Sequence, residues 1–381
     1  RQASLARAFG IDVEEIDVAE IKRLWPIANT DDLFGGILSP SDGRVSSSDV
    51  CAALIKGARA GGVRIFEDTP VKGFTFANGR ISGVETDDGV IRCDAVALCG
   101  GLWSRAIARM AGVSAPLYAC EHYALITKPF DGIYTGMPVL GAHDGYMYIR
   151  DEAQGLLVGS FEPNAKPVDL DQLPNDFSFD LLGENWDHFE PIMEEALHRI
   201  PALETAEVRT LLNGPESFTI DGAFLMGEAS EVPGFFMCCG MNSMGVASSG
   251  GAGKALADWV VDGDPGVDLS SVDVRRFARV RDTLTAVRDR AAENLSLHYA
   301  IGYPGQEFTT ARRLRLSPLH ERLATLGAEF GDRGGWERPS WFQPKAGGVS
   351  TDLRFGKPHW FNCVAREHRA AREAVAIFDQ T

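Results

Sequence analysis

Phe235-Phe236-Met237-Cys238-Cys239-Gly240-Met241-Asn242-Ser243-Met244-Gly245 is the stretch on which the fold turns. Its apolar start, bounded by Gly234 and Gly240, reads as a short buried strand. From Gly245 the chain runs on through Ala247-Ser248-Ser249-Gly250-Gly251-Ala252-Gly253, a turn of small residues, and a helix is expected over 254–261. A strand, a glycine-rich turn and a helix bring backbone N–H groups close to a ligand at the strand ends of an α/β sheet. Tight helix–strand packing also needs small residues, so turn chemistry alone leaves both readings open. Gly253-Lys254 imitates the end of a P-loop. Ala255 stands where Ser or Thr would bind magnesium, and the glycine spacing is wrong, which excludes nucleoside triphosphate binding. A G-x-G-x-x-G after a strand appears nowhere.

Upstream, the same grammar repeats. Residues 95–99 form a short apolar run, Gly100-Gly101 end it, and a helix is expected over 103–111. Before it, Ser46-Ser47-Ser48-Asp49 offer helix caps, Val50, Leu54, Ile55 and Ala58 recur at helical spacing, and Gly61-Gly62 stop the helix. A strand is expected over 63–66. Strands over 71–76 and 80–86 flank Asn78-Gly79, a hairpin signal, and Asp88-Gly89 makes a second tight turn. Residues 116–213 change character. Apolar and polar residues alternate over 123–127, 146–150 and 156–161, which predicts an antiparallel sheet, with a helix over 186–200. Such a region suits a substrate cap on a nucleotide-binding core. Gly263-Asp264-Pro265-Gly266 close this part with turn residues. A charged helical stretch is expected over 274–294, and 317–381 is rich in Trp and Pro.

The 381 residues suffice for two or more domains. Hydrophobic residues at 45% and charged residues at 24% fit a globular chain. The apolar runs are strand-sized, so no membrane insertion is expected. A net charge of −16 opposes phosphate backbones and excludes nucleic acid as an expected partner. The seven cysteines include no C-x-x-C pair and mostly sit in apolar stretches, so structural thiols in a reducing compartment are expected. The eight histidines show no metal-ligand spacing, and no metal site is expected.

Read together, Gly214-Pro215-Glu216-Ser217-Phe218-Thr219, Gly234-Phe235-Phe236, Gly240-Met241-Asn242-Ser243 and Arg275-Arg276-Phe277 resemble the sarcosine and dimethylglycine dehydrogenases, members of the glycine-oxidase-like flavoproteins. Ser41-Asp42-Gly43-Arg44-Val45 and Leu98-Cys99-Gly100-Gly101-Leu102-Trp103-Ser104 resemble flavin-domain motifs of the same family. Ser317-Pro318-Leu319-His320, Gly335-Trp336-Glu337-Arg338-Pro339 and the closing Val375-Ala376-Ile377-Phe378-Asp379 resemble the start of the glycine-cleavage aminomethyltransferase (T-protein) domain that follows it. The resemblance runs in order over essentially the whole chain.

It implies a mixed α/β and α+β architecture: a Rossmann-like FAD-binding fold of glycine-oxidase type with an antiparallel-sheet substrate domain. The implied division is 1–263 for the flavin domain, with the cap over about 116–213, a bridge over 264–316, and the opening of the aminomethyltransferase domain over 317–381. The dinucleotide-binding βαβ unit, and the histidine that holds FAD covalently in many members, would lie upstream of Arg1. The aminomethyltransferase barrel would continue beyond Thr381. The segment by itself is expected to be inactive.

By resemblance, the glycine-rich turn with Gly240, Met241, Met244 and Gly245 faces the edge of the flavin ring. Val71 lies over the adenine, and Gly100, Gly101 and Trp103 belong to the motif beside the pyrophosphate and ribityl chain. His122 matches a histidine at the flavin–substrate face and Tyr148 an active-site tyrosine, suited to relaying the amine proton and orienting the substrate. Arg150 could pair with a substrate carboxylate, and shares the face of Tyr148 only if the strand is regular. A structural histidine and aromatic filling of the cap are the plainer readings of His122 and Tyr148. The implied reaction is FAD-dependent oxidative demethylation of sarcosine, dimethylglycine or a similar N-methyl amino acid. The carbon would leave as formaldehyde or pass to tetrahydrofolate. The implied electron acceptor is an electron-transfer flavoprotein or oxygen, and the implied location is the cytoplasm, or the mitochondrial matrix in a eukaryote. An oxygen-using oxidase is one alternative. Another is a non-catalytic relative like the pyruvate dehydrogenase phosphatase regulatory subunit.

Overall fold

The computed structural model describes residues 2–174, 176–277, 283–344 and 347–379. They form two compact units interleaved along the chain: 1–70, 122–162 and 178–214 in the first, and 71–121, 163–177 and 215–381 in the second.

The first unit is organised by an antiparallel sheet. Strand Gly155–Ser160 pairs on one side with Met147–Glu152 and on the other with the far half of Leu117–Thr127. Leu140–Ala142 adds to the outside of Met147–Glu152. Side chains alternate across a strand. Tyr123, Leu125, Met147, Ile149, Leu156 and Val158 therefore point one way, and all are buried. They pack on Phe189, Ile192 and Ala196 of helix Trp186–Arg199 and on Trp25. Burying each of the large side chains stabilises the unit by about 1.5–3 kcal/mol. The helix opens on an Asn185 cap to the His188 N–H and carries Pro191 only in its second turn.

One expectation is met and one fails in this unit. Helix Ser47–Ala60 forms as expected, capped by the Ser46 side chain, but none of its residues is buried, and Leu54 and Ile55 face solvent. Residues 63–66 make no strand; Val63, Ile65 and Phe66 are exposed. A strand exists through its neighbour's hydrogen bonds, and no described strand lies beside this run in its unit.

The second unit holds the expected Asn78-Gly79 hairpin, Gly73–Ala77 against Arg80–Thr86, with Asn78 and Gly79 both at positive φ. Gly89–Arg92 adds a third strand after the second turn. The expected strand over 95–99 is Val96–Leu98. It runs parallel to Phe235–Cys239, with Leu98 opposite Met237, and Leu225–Glu228 pairs antiparallel on the far side. Phe235, Met237 and Cys239 enter a core with Leu98, Leu117, Phe218 and Leu225, while Phe236 turns to the opposite side.

The helix after the glycine turn starts earlier than expected. It spans Gly245–Asp262, so the small-residue run belongs to the helix. Glycine is a poor helix former, but Ala252, Ala255, Leu256 and Trp259 bury one face against Met226 and Phe236, and packing overrides propensity. Within the expected helix over 274–294, a 3-10 turn covers Val274–Phe277 and an α-helix Leu284–His298; residues 278–282 lie outside the described set. Toward the C-terminus, Ala328–Arg333 pairs with Trp336–Phe342, and Trp341 stacks on Trp360 with ring centroids 6.0 Å apart.

Candidate active site

The cap sheet has a second face. Tyr148 lies opposite Gly159, and Gly159 opposite Ala124, across three adjacent strands. His122 is two residues from Ala124, and Arg150 two from Tyr148, so the period of two puts His122, Tyr148 and Arg150 on one face, turned away from the unit's core. All three are half-buried.

Gly159 makes room for Tyr148. A Cβ at position 159 would fall inside the Tyr148 ring, so any side chain there would evict the phenol. The ring lies 5.5 Å, centroid to centroid, from Phe161, and Phe161 stacks on His143 at 5.1 Å. These contacts narrow the rotamers open to Tyr148, which is the precondition for a side chain that orients a substrate. Arg150 is engaged by the Glu152 carboxylate.

His122 is held by a carboxylate that sequence reasoning missed. Nδ1 of His122 lies 2.7 Å from Oε2 of Glu162, which is 1% exposed. The other oxygen, Oε1, accepts the Tyr123 N–H at 2.8 Å and the Ser160 hydroxyl. Burial pushes the Glu162 carboxyl up. The His122 hydrogen bond and charge, with the Ser160 bond, outweigh it and leave the group below its ordinary range. An ionised carboxylate only accepts, so Nδ1 of His122 is the donor and Nε2 carries the lone pair when the ring is neutral. Glu162 follows its strand as Phe161-Glu162-Pro163 and belongs to no motif; only the strand register brings it to His122.

The residues expected to hold the cofactor all belong to the second unit. Gly100, Gly101 and Trp103 follow strand Val96–Leu98; Gly240, Met241, Met244 and Gly245 follow strand Phe235–Cys239. The two strands are parallel and in register, so these turns lie at neighbouring carboxyl ends, where open α/β sheets bind ligands. Val71 is half-buried against the core.

The late turn is set by its backbone. Gly240 has φ +64°, and a Cβ there would lie 2.7 Å from the Thr219 Cγ2. Asn242 and Ser243 follow at φ 49° and 63°, a conformation side chains seldom adopt. Asn242, 1% exposed, holds the turn: its Oδ1 accepts the Thr219 N–H at 2.8 Å and the Thr219 hydroxyl at 3.2 Å, and its Nδ2 donates to the Gly240 carbonyl. The Ser243 hydroxyl donates to Glu216 at 2.6 Å. Glu216 and Asp221, the latter paired with Arg276, therefore serve the framework.

No side chain caps the 18-residue helix at Gly245. Its positive end is thus carried by backbone N–H groups. Added Cβ atoms at Gly101, Gly250, Gly251 and Gly253 would meet nothing within 4 Å. Beside the turns, the neighbouring Cys238 draws the Cys99 thiol down to about 7, while burial pushes Cys239 up to about 12. Among the described residues, no cluster of His, Cys, Asp and Glu could hold a metal ion, and no helix is long and apolar enough to cross a membrane.

Residues 1–259 match the family model of FAD dependent oxidoreductases, residues 262–317 that of the FAD dependent oxidoreductase central domain, and residues 319–381 that of the GCVT N-terminal domain. The chain is 40% identical to the 4-methylaminobutanoate oxidase (formaldehyde-forming) of Paenarthrobacter nicotinovorans, over 97% of this chain and 45% of that one. It is 39% identical to the mitochondrial pyruvate dehydrogenase phosphatase regulatory subunit of Mus musculus, over 99% of this chain and 44% of that one. It is 35% identical to the mitochondrial sarcosine dehydrogenase of Homo sapiens, over 100% of this chain and 44% of that one. The chain thus spans less than half the length of these relatives. Among solved structures, L-proline dehydrogenase from P. horikoshii shares the fold with a TM-score of 0.63 at 23% identity, over 73% of this chain and 72% of that one. Glycine oxidase from Geobacillus kaustophilus does so with 0.59 at 24%, over 71% and 69%.

Proposed function

Since this chain belongs to the FAD-dependent oxidoreductase family of the sarcosine and dimethylglycine dehydrogenases, we propose that the whole protein oxidatively demethylates an N-methyl amino acid. The observation that carries this reading is the single face of the cap sheet bearing His122 and Tyr148, with His122 held by a buried carboxylate.

At neutral pH the substrate amine arrives protonated, and it must lose that proton before its C–H electrons can leave. His122 takes the proton on Nε2, because Nδ1–H is committed to Glu162. Tyr148, set over Gly159, orients the amine. Gly240, Met241, Met244 and Gly245 would hold the ring of FAD, Gly100, Gly101 and Trp103 would hold its ribityl and phosphate portion, and Val71 would lie by its adenine. When bound, FAD supplies the two-electron acceptor. The uncapped helix end at Gly245 stabilises negative charge beside it. Arg150 is a weaker partner for the substrate carboxylate, because Glu152 already engages it.

Our division of the chain is a flavin domain over 1–263, a bridge over 264–316 and an aminomethyltransferase-like opening over 317–381. Tetrahydrofolate would be bound by the domain that this opening begins. The family's covalent histidine link to FAD, and a reducing location in the cytoplasm or mitochondrial matrix, belong to the same proposal.

The test is anaerobic mixing of the full-length flavoprotein with sarcosine, dimethylglycine and 4-methylaminobutanoate. Bleaching of the flavin by one of them is expected, and reoxidation in air then separates oxidase from dehydrogenase. A protein that binds FAD and is bleached by none of these amines would support the regulatory reading favoured by the 39% relative.

A further inference from the structure

We propose that Glu162 is a positioning residue whose two oxygens have separate tasks, one fixing the carboxylate and the other setting the tautomer and direction of His122. The proposal rests on the functional reading above, in which His122 takes the amine proton.

The division of labour is visible in the hydrogen bonds. Oε1 takes two donors from the sheet itself, the Tyr123 N–H at 2.8 Å and the Ser160 hydroxyl, so the plane of the carboxylate is set before His122 is considered. Oε2 lies 2.7 Å from Nδ1 of His122. Paired strands would suffice to satisfy the Tyr123 N–H, and a buried carboxylate is a costly way to do it. Such a group is worth its desolvation when a cation forms next to it, as happens when an imidazole accepts a proton. Among the described residues, the titratable and charged groups on or beside its strand and face include Glu121 next to it in the strand, Tyr148 and, farther along, Arg150 on the same face, with Arg150 on Glu152, and His188 against the Tyr123 ring on the opposite face. Of the partners resolved for His122 Nδ1, Glu162 is the one that sets the tautomer.

The substitution that isolates this role is Glu162→Gln. It keeps an oxygen for the Tyr123 N–H and the Ser160 hydroxyl but can present an NH2 donor to Nδ1. A neutral ring would then carry its proton on Nε2, where it cannot accept one. In the full-length holoprotein, the flavin reduction rate is expected to fall about 10²-fold, with flavin content and thermal midpoint close to wild type. Glu162→Asp, which keeps the charge, is expected to recover part of the rate.

Independently of activity, ¹⁵N-histidine solid-state NMR at alkaline pH is expected to show His122 protonated on Nδ1 in the wild type and on Nε2 in Glu162→Gln, with His122→Asn used for assignment. Should Glu162→Gln fail to fold, the wild-type tautomer decides alone. Protonation on Nε2 in the wild type, or an unchanged reduction rate in a folded Glu162→Gln protein, overturns the proposal. If no N-methyl amine bleaches the wild-type flavin, the functional reading fails, while the tautomer measurement still stands or falls by itself.

Discussion

On the cap sheet of the first unit, side chains hold one another: Glu162 anchors His122, Ser160 anchors Glu162, and Phe161 backs Tyr148. At the strand ends of the second unit, the backbone carries the shape. Gly240, Asn242 and Ser243 sit at positive φ, Asn242 ties them to Thr219, and the helix behind begins without a side-chain cap. A face that works by proton transfer needs side chains at fixed pKa and direction. A turn that approaches a flat ring needs bare N–H groups and no side chain in the way. Damage to the two regions should therefore register in different measurements.

The largest effect is expected from His122→Asn. In the full-length holoprotein, flavin reduction by substrate should slow by about 10²–10³-fold, with flavin content unchanged. Stopped-flow absorbance gives the first quantity and the visible spectrum of the purified protein the second. Loss of flavin along with the rate would erase the distinction between the two regions.

Asn242→Ala is the opposite case. It removes three hydrogen bonds of a buried side chain and strands the Thr219 N–H, besides leaving an alanine at φ 49°. The expected cost is about 3 kcal/mol of stability, read as a lower urea midpoint, together with a fall in bound flavin. Protein that retains flavin should reduce it at the wild-type rate. A slow rate at full flavin content would mean that the turn acts on the chemistry as well as on binding.

A smaller effect comes from the paired substitutions Gly159→Ala and Gly141→Ala. Both glycines lie opposite Tyr148 in the sheet. A methyl at 159 falls into the Tyr148 ring, whereas one at 141 meets only His143 Nε2, at an ordinary 3.7 Å. Gly159→Ala should cost about 1–3 kcal/mol and reduce flavin as slowly as Tyr148→Phe. Gly141→Ala should behave as wild type. Equal behaviour of the two variants would show that Tyr148 is free to move aside without consequence.

Much of this organisation was legible from local pattern. The Asn78-Gly79 hairpin, the Ser46 cap, the cap strands and helix Trp186–Arg199 follow from turn chemistry and periodicity acting over a few residues. The features that escaped depend on distant partners. Residues 63–66 have strand composition but no strand beside them in the unit. The helix begins at Gly245 because Trp259 and Leu256 pack on Met226 and Phe236, which outweighs four glycines in its first turns. Glu162 and Asn242 carry no motif of their own for these roles. Glu162 reaches His122, 40 residues away, and Asn242 reaches Thr219, 23 away, only through strand pairing and turn geometry.

The smallest expected effect tests whether the second unit also holds a tuned side chain. Cys99 follows strand Val96–Leu98, and Cys238 lies in the parallel neighbour. The neighbouring Cys238 thiol draws the Cys99 thiol down to about 7. The same contact, with burial, pushes Cys238 up, and burial pushes Cys239 to about 12. The thiolate is the form that reacts, so alkylation of Cys99 should rise with pH and reach half its limiting rate near 7, while Cys238 and Cys239 stay inert at that pH. Cys238→Ala removes that neighbour, and the Cys99 midpoint should then move up toward the ordinary thiol value of about 8.5. Iodoacetamide labelling of the full-length protein from pH 6 to 9, read by peptide mass spectrometry, measures both midpoints. If Cys99 keeps a midpoint near 7 without Cys238, the tuning comes from the positive helix end and the backbone around it. The strand-end region would then act through its main chain alone, and the contrast with the cap sheet would be sharper.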